Sequence, residues 1–119
     1  MARVVALIDD LLFGSNVAGA LRAAGHEVAL VGSPERAARV AGGCELLIVD
    51  LAGGAIDPAG ALDAVPGTRA GVPSLASYAH VHPEARAAAL HAGFRRVVPR
   101  SKLARDAPAL AAELLAAAQ

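Results

Sequence analysis

Residues 46–50 read Leu46-Leu47-Ile48-Val49-Asp50, four apolar residues that end in a carboxylate. An earlier stretch has the same form, because Val4-Val5-Ala6-Leu7-Ile8 is followed directly by Asp9-Asp10. A strand without polar alternation is covered on both faces, which is typical of a parallel sheet flanked by helices. The two stretches therefore predict central parallel strands, each with an acidic carboxyl end.

Three further strands and five helices are predicted around these two stretches. The strand signals are short runs rich in β-branched residues or leucine, at Glu27–Val31, Val72–Ser77 and Arg96–Val98. The helix signals are alanine-rich segments with capping residues or stop signals, at Leu12–Ala24, from Ser33 to Gly42-Gly43, from Asp57 to about Ala64, from His82 to Gly93 and from Asp106 to the end of the chain.

The regular alternation of strand and helix favours one fold class. Short connections between parallel strands require right-handed crossovers, which place helices on both faces of the sheet. For a chain of 119 residues, we predict a flavodoxin-like, doubly wound α/β fold with a five-stranded parallel sheet in the order 2-1-3-4-5. Because a domain usually has roughly 100–200 residues, we expect one domain over residues 1–119.

The composition argues against several classes of function. Eleven Lys and Arg residues balance eleven Asp and Glu residues, and aromatic residues are scarce, so a nucleic-acid-binding surface is disfavoured. The single cysteine, Cys44, permits neither an internal disulfide nor a multi-cysteine zinc site. No apolar run reaches the roughly 18 residues of a membrane-spanning helix, and the N-terminus does not read as a secretory signal. We expect a cytoplasmic protein without nucleic-acid or membrane partners.

The predicted strand order brings three carboxylates to one crevice. Asp9 and Asp10 follow the first strand and Asp50 ends the third, and these strands are neighbours in a 2-1-3-4-5 sheet. Carboxylate oxygens, water and a backbone carbonyl suit Mg²⁺. An alternative interpretation is that Asp10 only caps the first helix and Asp50 only begins a loop.

At these residues the sequence resembles the receiver domains of two-component response regulators, of the chemotaxis-regulator type. The acidic pair Asp9-Asp10 is similar to the family's pair after the first strand, and Asp50 to its phosphoacceptor. The segment Gly71–His80 resembles the fourth strand and the following loop. Val97-Val98-Pro99-Arg100-Ser101 is similar to the fifth strand and the position of the family's lysine.

The resemblance implies a function for this crevice. Asp50 would accept a phosphoryl group from a histidine kinase or phosphotransfer protein. Mg²⁺ would be bound by Asp10, by Asp9 through water, and by the backbone carbonyl of Ala52. The metal would offset the charge on the transferring oxygens.

Two positions differ from the family's pattern. The position of the switch hydroxyl falls on Tyr78, and the neighbouring Ser77 is expected to point to the opposite face of the strand. Arg100 stands where the family has lysine, and a planar guanidinium is not equivalent to a compact ammonium group at a tight phosphate site. Both residues remain candidates for phosphate contact, with Ser77 as the alternative hydroxyl.

Basic residues and two histidines are further candidates. His80 and His82 form a His-x-His pair, which we interpret as loop and capping residues because no third ligand is near in sequence. The basic residues predicted around the fourth helix, fifth strand and fifth helix form a solvated face or a docking and dimerisation surface; they are Arg86, Arg95, Arg96, Arg100, Lys102 and Arg105. An exposed Tyr78 or Phe94 there would favour a protein interface.

These observations leave two main hypotheses. The first is a stand-alone receiver in two-component signal transduction, phosphorylated at Asp50 with Mg²⁺ and docking to a downstream protein through its fourth helix, fifth strand and fifth helix. The second is a pseudo-receiver, which binds a protein or dimerises independently of phosphorylation. No general base, nucleophile pair or cofactor motif supports an enzyme, and we assign no catalytic residue.

Overall fold

The five strands form one parallel sheet in the order β2-β1-β3-β4-β5. The structure is a computed structural model and describes residues 1–118. The strands are β1 (Arg3–Leu7), β2 (Glu27–Val31), β3 (Leu46–Asp50), β4 (Ser74–Tyr78) and β5 (Arg96–Pro99). The predicted fold class and strand order are confirmed.

Helices cover both faces of the sheet. The face packed against α1 and α5 contains Val4, Ala6 and Ile48, whereas the opposite face contains Val5 and Leu47. This division follows from the alternation of side chains along each strand. The helices are α1 (Leu11–Ala23), α2 (Pro34–Arg39), α3 (Pro58–Ala64), α4 (Pro83–Ala92) and α5 (Arg100–Ala117), with a 3₁₀ turn at Pro66–Ala70.

The strand register brings the carboxyl ends of β1, β3 and β4 to one edge of the sheet. Leu7 pairs with Val49 between β1 and β3, and Asp50 pairs with Ser77 between β3 and β4. All five residues of β3 are buried, including the terminal carboxylate. A buried carboxylate therefore faces the loops that follow β1 and β4.

The start of α5 differs from the prediction. A helical segment over residues 100–105, which the prediction did not include, precedes the kink at Asp106, and its Leu103 is buried on the same face as Ala107 and Leu110 of the predicted helix. Asp106 has non-helical φ and ψ of −121° and 21°, which marks a kink two residues before Pro108. The proline lacks a backbone N–H and restricts the preceding turn. The predicted start at Asp106 therefore coincides with the kink, from which the second and longer segment of α5 continues.

Other differences are small. Helix α2 ends at Arg39, earlier than predicted, and β4 is displaced to Ser74–Tyr78 from the predicted Val72–Ser77. Within residues 1–118, no helix combines the length and apolar character needed to cross a bilayer.

Candidate functional site

Asp50 is the buried carboxylate at the carboxyl edge of the sheet. It ends β3, the middle strand, and is only 1% exposed. A carboxylate removed from water at this depth needs hydrogen-bond donors to remain charged. Four donor atoms of this chain reach it.

One oxygen of Asp50 accepts hydrogen bonds from neighbouring strand and loop atoms. The Ser77 hydroxyl donates to Oδ1 at 2.9 Å, and the backbone N–H of Ala52 donates to the same oxygen at 3.2 Å. Ser77 is completely buried. Because Ser77 is the register partner of Asp50, this contact is built into the pairing of β3 with β4.

The other oxygen of Asp50 is bound by Arg100. Nε and Nη2 of the guanidinium donate to Oδ2 at 3.1 Å and 2.8 Å. The Asp50 side chain is 0% exposed and that of Arg100 is 32% exposed. The ion pair therefore joins a fully buried anion to a cation at the rim of the crevice.

Asp10 is bound by the same guanidinium. Nη2 of Arg100 donates to Oδ2 of Asp10 at 3.0 Å, so one nitrogen contacts both carboxylates. The other oxygen of Asp10 caps α1 by accepting from the backbone N–H of Phe13 at 3.0 Å. We call the contacts of Arg100 with Asp10 and Asp50 the Arg100 bridge.

The ring of Phe13 supports the Arg100 bridge from the side. The central carbon of the guanidinium lies 4.1 Å from the ring centroid. This distance is within the range of a cation–π contact, which contributes about 0.5–2 kcal/mol depending on solvent exposure. Phe13 therefore contacts Asp10 through its backbone and Arg100 through its ring.

The pKa shifts of the bridge follow from these contacts. The pKa of Asp10 is lowered below 3.8, first by the hydrogen bond from the Phe13 backbone and then by the bond from Arg100. Partial burial lowers the pKa of Arg100, but the hydrogen bonds that it donates to Asp10 and Asp50 outweigh this effect, and the net shift is upward. Both groups are held in their charged forms.

The predicted magnesium site is not assembled in this arrangement. Within residues 1–118, no three His, Cys, Asp or Glu side chains are placed to bind one metal ion. Arg100 contacts one carboxylate oxygen each of Asp10 and Asp50, and the other two oxygens accept hydrogen bonds from Phe13, Ser77 and Ala52, so the residues as arranged do not fit Mg²⁺. The physical reason is that the guanidinium supplies the positive charge that a metal would otherwise provide.

The other two predicted metal ligands are placed differently from the expectation. Asp9 is exposed beside the loop after β3, where a Cβ on Gly53 would lie 3.4 Å from both of its carboxylate oxygens. Ala52 contacts Asp50 through its N–H, whereas the prediction assigned its carbonyl to a metal. Neither residue joins the Arg100 bridge.

The structure places Ser77, and not Tyr78, against Asp50. The prediction had Ser77 pointing away from the crevice. The register reverses this, because paired residues on neighbouring parallel strands point to the same face and Asp50 pairs with Ser77. Tyr78 is half-buried against the apolar cluster on the side of α2, α3 and α4.

The predicted basic face is partly neutralised. Arg96 pairs with Glu113, and both Lys102 and Arg105 pair with Asp106. Arg100 turns into the crevice. Phe94 is 3% exposed and so does not supply the exposed aromatic side chain that would favour an interface.

The two histidines lie in the loop before α4. Both are exposed, and His82 pairs with Glu84 through Nδ1 at 3.4 Å. His82 occupies the capping position of α4 without a side-chain capping bond.

The comparisons with known proteins identify the fold. No family model and no curated protein matches the sequence. The receiver domain of the Francisella response regulator 1452 superposes with a TM-score of 0.82 at 12% identity over the full length of both chains. The chain has the receiver-domain fold.

Two other solved structures show the same likeness. The receiver domain of the sensor histidine kinase PA1611 from Pseudomonas aeruginosa PAO1, which has a magnesium ion in its active-site cleft, matches with a TM-score of 0.74 at 21% identity, over 97% of this chain and 98% of that one. NtrX from Brucella abortus matches with a TM-score of 0.83 at 20% identity over 99% of this chain, which spans 28% of the NtrX chain.

Sequence reasoning missed Phe13 as a site residue. Its spacing with Val17 and Leu21 is typical of the buried face of a helix, and Phe13 does pack partly against the core cluster that contains them. Its second contact, with Arg100, joins the first turn of α1 to the first residue of α5. A sequence signal for it is the aromatic residue three positions after Asp10, at the first turn of the helix that faces the crevice.

Proposed function

We propose that this protein is a receiver-like, non-enzymatic protein-binding module that acts without phosphorylation of Asp50. The observation that carries the proposal is the Arg100 bridge. Nη2 of Arg100 lies 2.8 Å from Asp50 and 3.0 Å from Asp10, the two carboxylates that metal-dependent phosphorylation would use.

The energy of the bridge bears on whether a metal can displace it. A hydrogen bond to a charged group contributes about 1.5–3 kcal/mol, and Arg100 makes three such bonds to carboxylates. Partial exposure of Arg100 reduces this sum, so we take about 3 kcal/mol for its removal from the crevice. An opening cost of that size weakens apparent magnesium affinity by about a hundredfold.

The hydrogen bonds of the Asp50 carboxylate also oppose its nucleophilic attack on a phosphoryl group. Both oxygens of this carboxylate accept hydrogen bonds, from Ser77 and Ala52 on one side and from Arg100 on the other. An attacking oxygen would have to lose part of this set before approaching a phosphoryl group. The carboxylate therefore acts as a structural anion that fixes the carboxyl edge of the sheet.

The docking surface proposed for a partner is formed by α4, β5 and α5. Among the ten residues of α4, only Ala89 is buried, and Leu90 is 41% exposed. A helix that buries so little of itself leaves an alanine-rich surface beside the exposed Arg86 and Arg95. This surface suits a downstream protein or a second copy of the chain.

A second candidate function is metal-dependent phosphorylation of Asp50 within two-component signalling. The observation that favours it is the Ser77 hydroxyl, which lies against Asp50 where a switch hydroxyl would meet a phosphoryl oxygen. The magnesium in the similar PA1611 receiver domain is consistent with this candidate. Its phosphoryl donor would be a histidine kinase or phosphotransfer protein.

Intact-mass measurement after incubation with acetyl phosphate and Mg²⁺ separates the two candidates. We expect no phosphate adduct on the wild-type chain, under conditions that phosphorylate an active receiver domain treated in parallel. Light scattering of the same samples should show an unchanged oligomeric state. A phosphate-sized adduct that is absent from Asp50→Asn would overturn the proposal and support the phosphoacceptor.

A further inference from the structure

The position of Phe13 suggests a second role for the first turn of α1. Its backbone N–H fixes Asp10 at 3.0 Å, and its ring lies 4.1 Å from the Arg100 guanidinium carbon. Asp10 and Arg100 are in turn joined at 3.0 Å. Phe13 therefore contacts both Asp10 and Arg100, whose ion pair is the exposed half of the Arg100 bridge.

The exposed half of the bridge is the part that needs support. The Asp10 side chain is 44% exposed, whereas Asp50 is fully buried. Water competes for a guanidinium at such a rim, and exposed ion pairs contribute little by themselves. A ring against one face of the guanidinium excludes water from that face and restricts the long side chain to one orientation.

We propose that Phe13 is a positioning residue that holds the Arg100 guanidinium between Asp10 and Asp50 and so makes the crevice reject divalent cations. This inference rests on the proposed function, because it explains how the chain keeps its own cation in the site. Leu12, which is 73% exposed in the same turn, is the matched control position. Its side chain is free to change without removing a face of the guanidinium.

The test measures the Arg100 side chain directly by nuclear magnetic resonance. The Nε–H signal of Arg100 is assigned by its loss in Arg100→Met. In Phe13→Leu, which keeps the backbone cap and an apolar side chain, we expect solvent exchange of this proton to accelerate about fivefold, the equivalent of about 1 kcal/mol of cation–π contact. Phe13→Tyr should restore the wild-type rate, and Leu12→Ala should leave it unchanged.

A magnesium titration followed by the thermal unfolding midpoint gives the second readout. We expect the midpoints of the wild type and of Phe13→Tyr to stay constant, that of Arg100→Met to rise with Mg²⁺, and that of Phe13→Leu to rise at magnesium concentrations at which the wild type does not respond. Equal exchange rates and equal magnesium responses in Phe13→Leu and Leu12→Ala would overturn the role of Phe13. A wild-type chain that binds Mg²⁺ as readily as Arg100→Met would instead overturn the proposed function.

Discussion

Replacing Arg100 by methionine should destabilise the protein because the buried carboxylate of Asp50 would lose its cation. The Asp50 side chain is 0% exposed and would retain only the donors from Ser77 and Ala52. Removing one partner of a buried ion pair costs about 3–5 kcal/mol. Because the Arg100 side chain is 32% exposed, water can reach part of the vacated space. We therefore expect a loss of about 3 kcal/mol, the lower end of that range.

A double-mutant cycle isolates the contribution of the pair. Asp50→Asn alone leaves Arg100 with Asp10 at the exposed rim, so its cost should be smaller, about 1 kcal/mol. If the bridge is the source of the loss, the double variant should be less destabilised than the sum of the single variants by about 2 kcal/mol. Arg105→Met is the matched control, because Arg105 pairs with Asp106 at the surface.

Urea unfolding in the presence of a chelator is the appropriate assay, since added metal could substitute for the missing guanidinium. The single variant Arg100→Met should also unfold about 12 °C below the wild type, at roughly 4 °C per kcal/mol for a domain of this size. Arg105→Met should stay within about 0.5 kcal/mol of the wild type. A coupling energy below about 0.5 kcal/mol between positions 50 and 100 would refute the bridge as a stabilising element.

Three further predictions test the site and the backbone around it. Because the pKa of Asp10 is lowered in the folded state, its charge stabilises the fold above about pH 3.8, and that contribution is lost as pH falls through the lower, folded-state value. In urea titrations from pH 2 to 6, the free energy of unfolding of Asp10→Asn, which keeps the helix cap, should therefore fall less at low pH than that of the wild type. Ser77→Ala removes a hydroxyl donor from a buried carboxylate and should cost about 1.5–3 kcal/mol in urea unfolding, and a loss below about 0.5 kcal/mol would contradict that hydrogen bond. Gly93 has a φ of 120°, so Gly93→Ala should lower the midpoint of urea unfolding. Gly19 lies in the interior of α1 with open space around an added Cβ, so Gly19→Ala should raise the free energy of unfolding by about 0.5–1 kcal/mol. Equal effects of the two substitutions would contradict the strained conformation at position 93.

The fold could be predicted from the sequence because its central strands carry continuous apolar runs. A strand such as Leu46–Asp50 leaves few alternatives to burial in a parallel sheet, and the short connections favour a doubly wound sheet, for which the order 2-1-3-4-5 is common at this size. The meeting of Asp10 and Asp50 at one edge follows from the same reasoning. These are properties of local pattern and topology, which a single sequence contains.

The contacts of Arg100 could not be predicted in the same way. Its orientation depends on the helical segment over residues 100–105, which precedes the predicted start at Asp106 and has no capping signal of its own. The orientation of Ser77 depends on the register with β3, which composition does not reveal. The contact between Phe13 and Arg100 joins residues far apart in the sequence, and the position of Phe13 in the first turn after Asp10 indicates only that the ring is near the crevice.

The location of Arg100 at the first residue of α5 ties the crevice to the motion of that helix. A displacement of the helix start by one ångström would stretch bonds of 2.8–3.1 Å beyond hydrogen-bonding distance. A partner that pulls on this end of α5 would thus separate Arg100 from the carboxylates of Asp10 and Asp50. A ligand that binds those carboxylates would in turn favour displacement of the helix end, and the coupling free energy is the same in both directions. Movement of the helix end and ligand binding at the carboxylates would then act on the same side chain, Arg100.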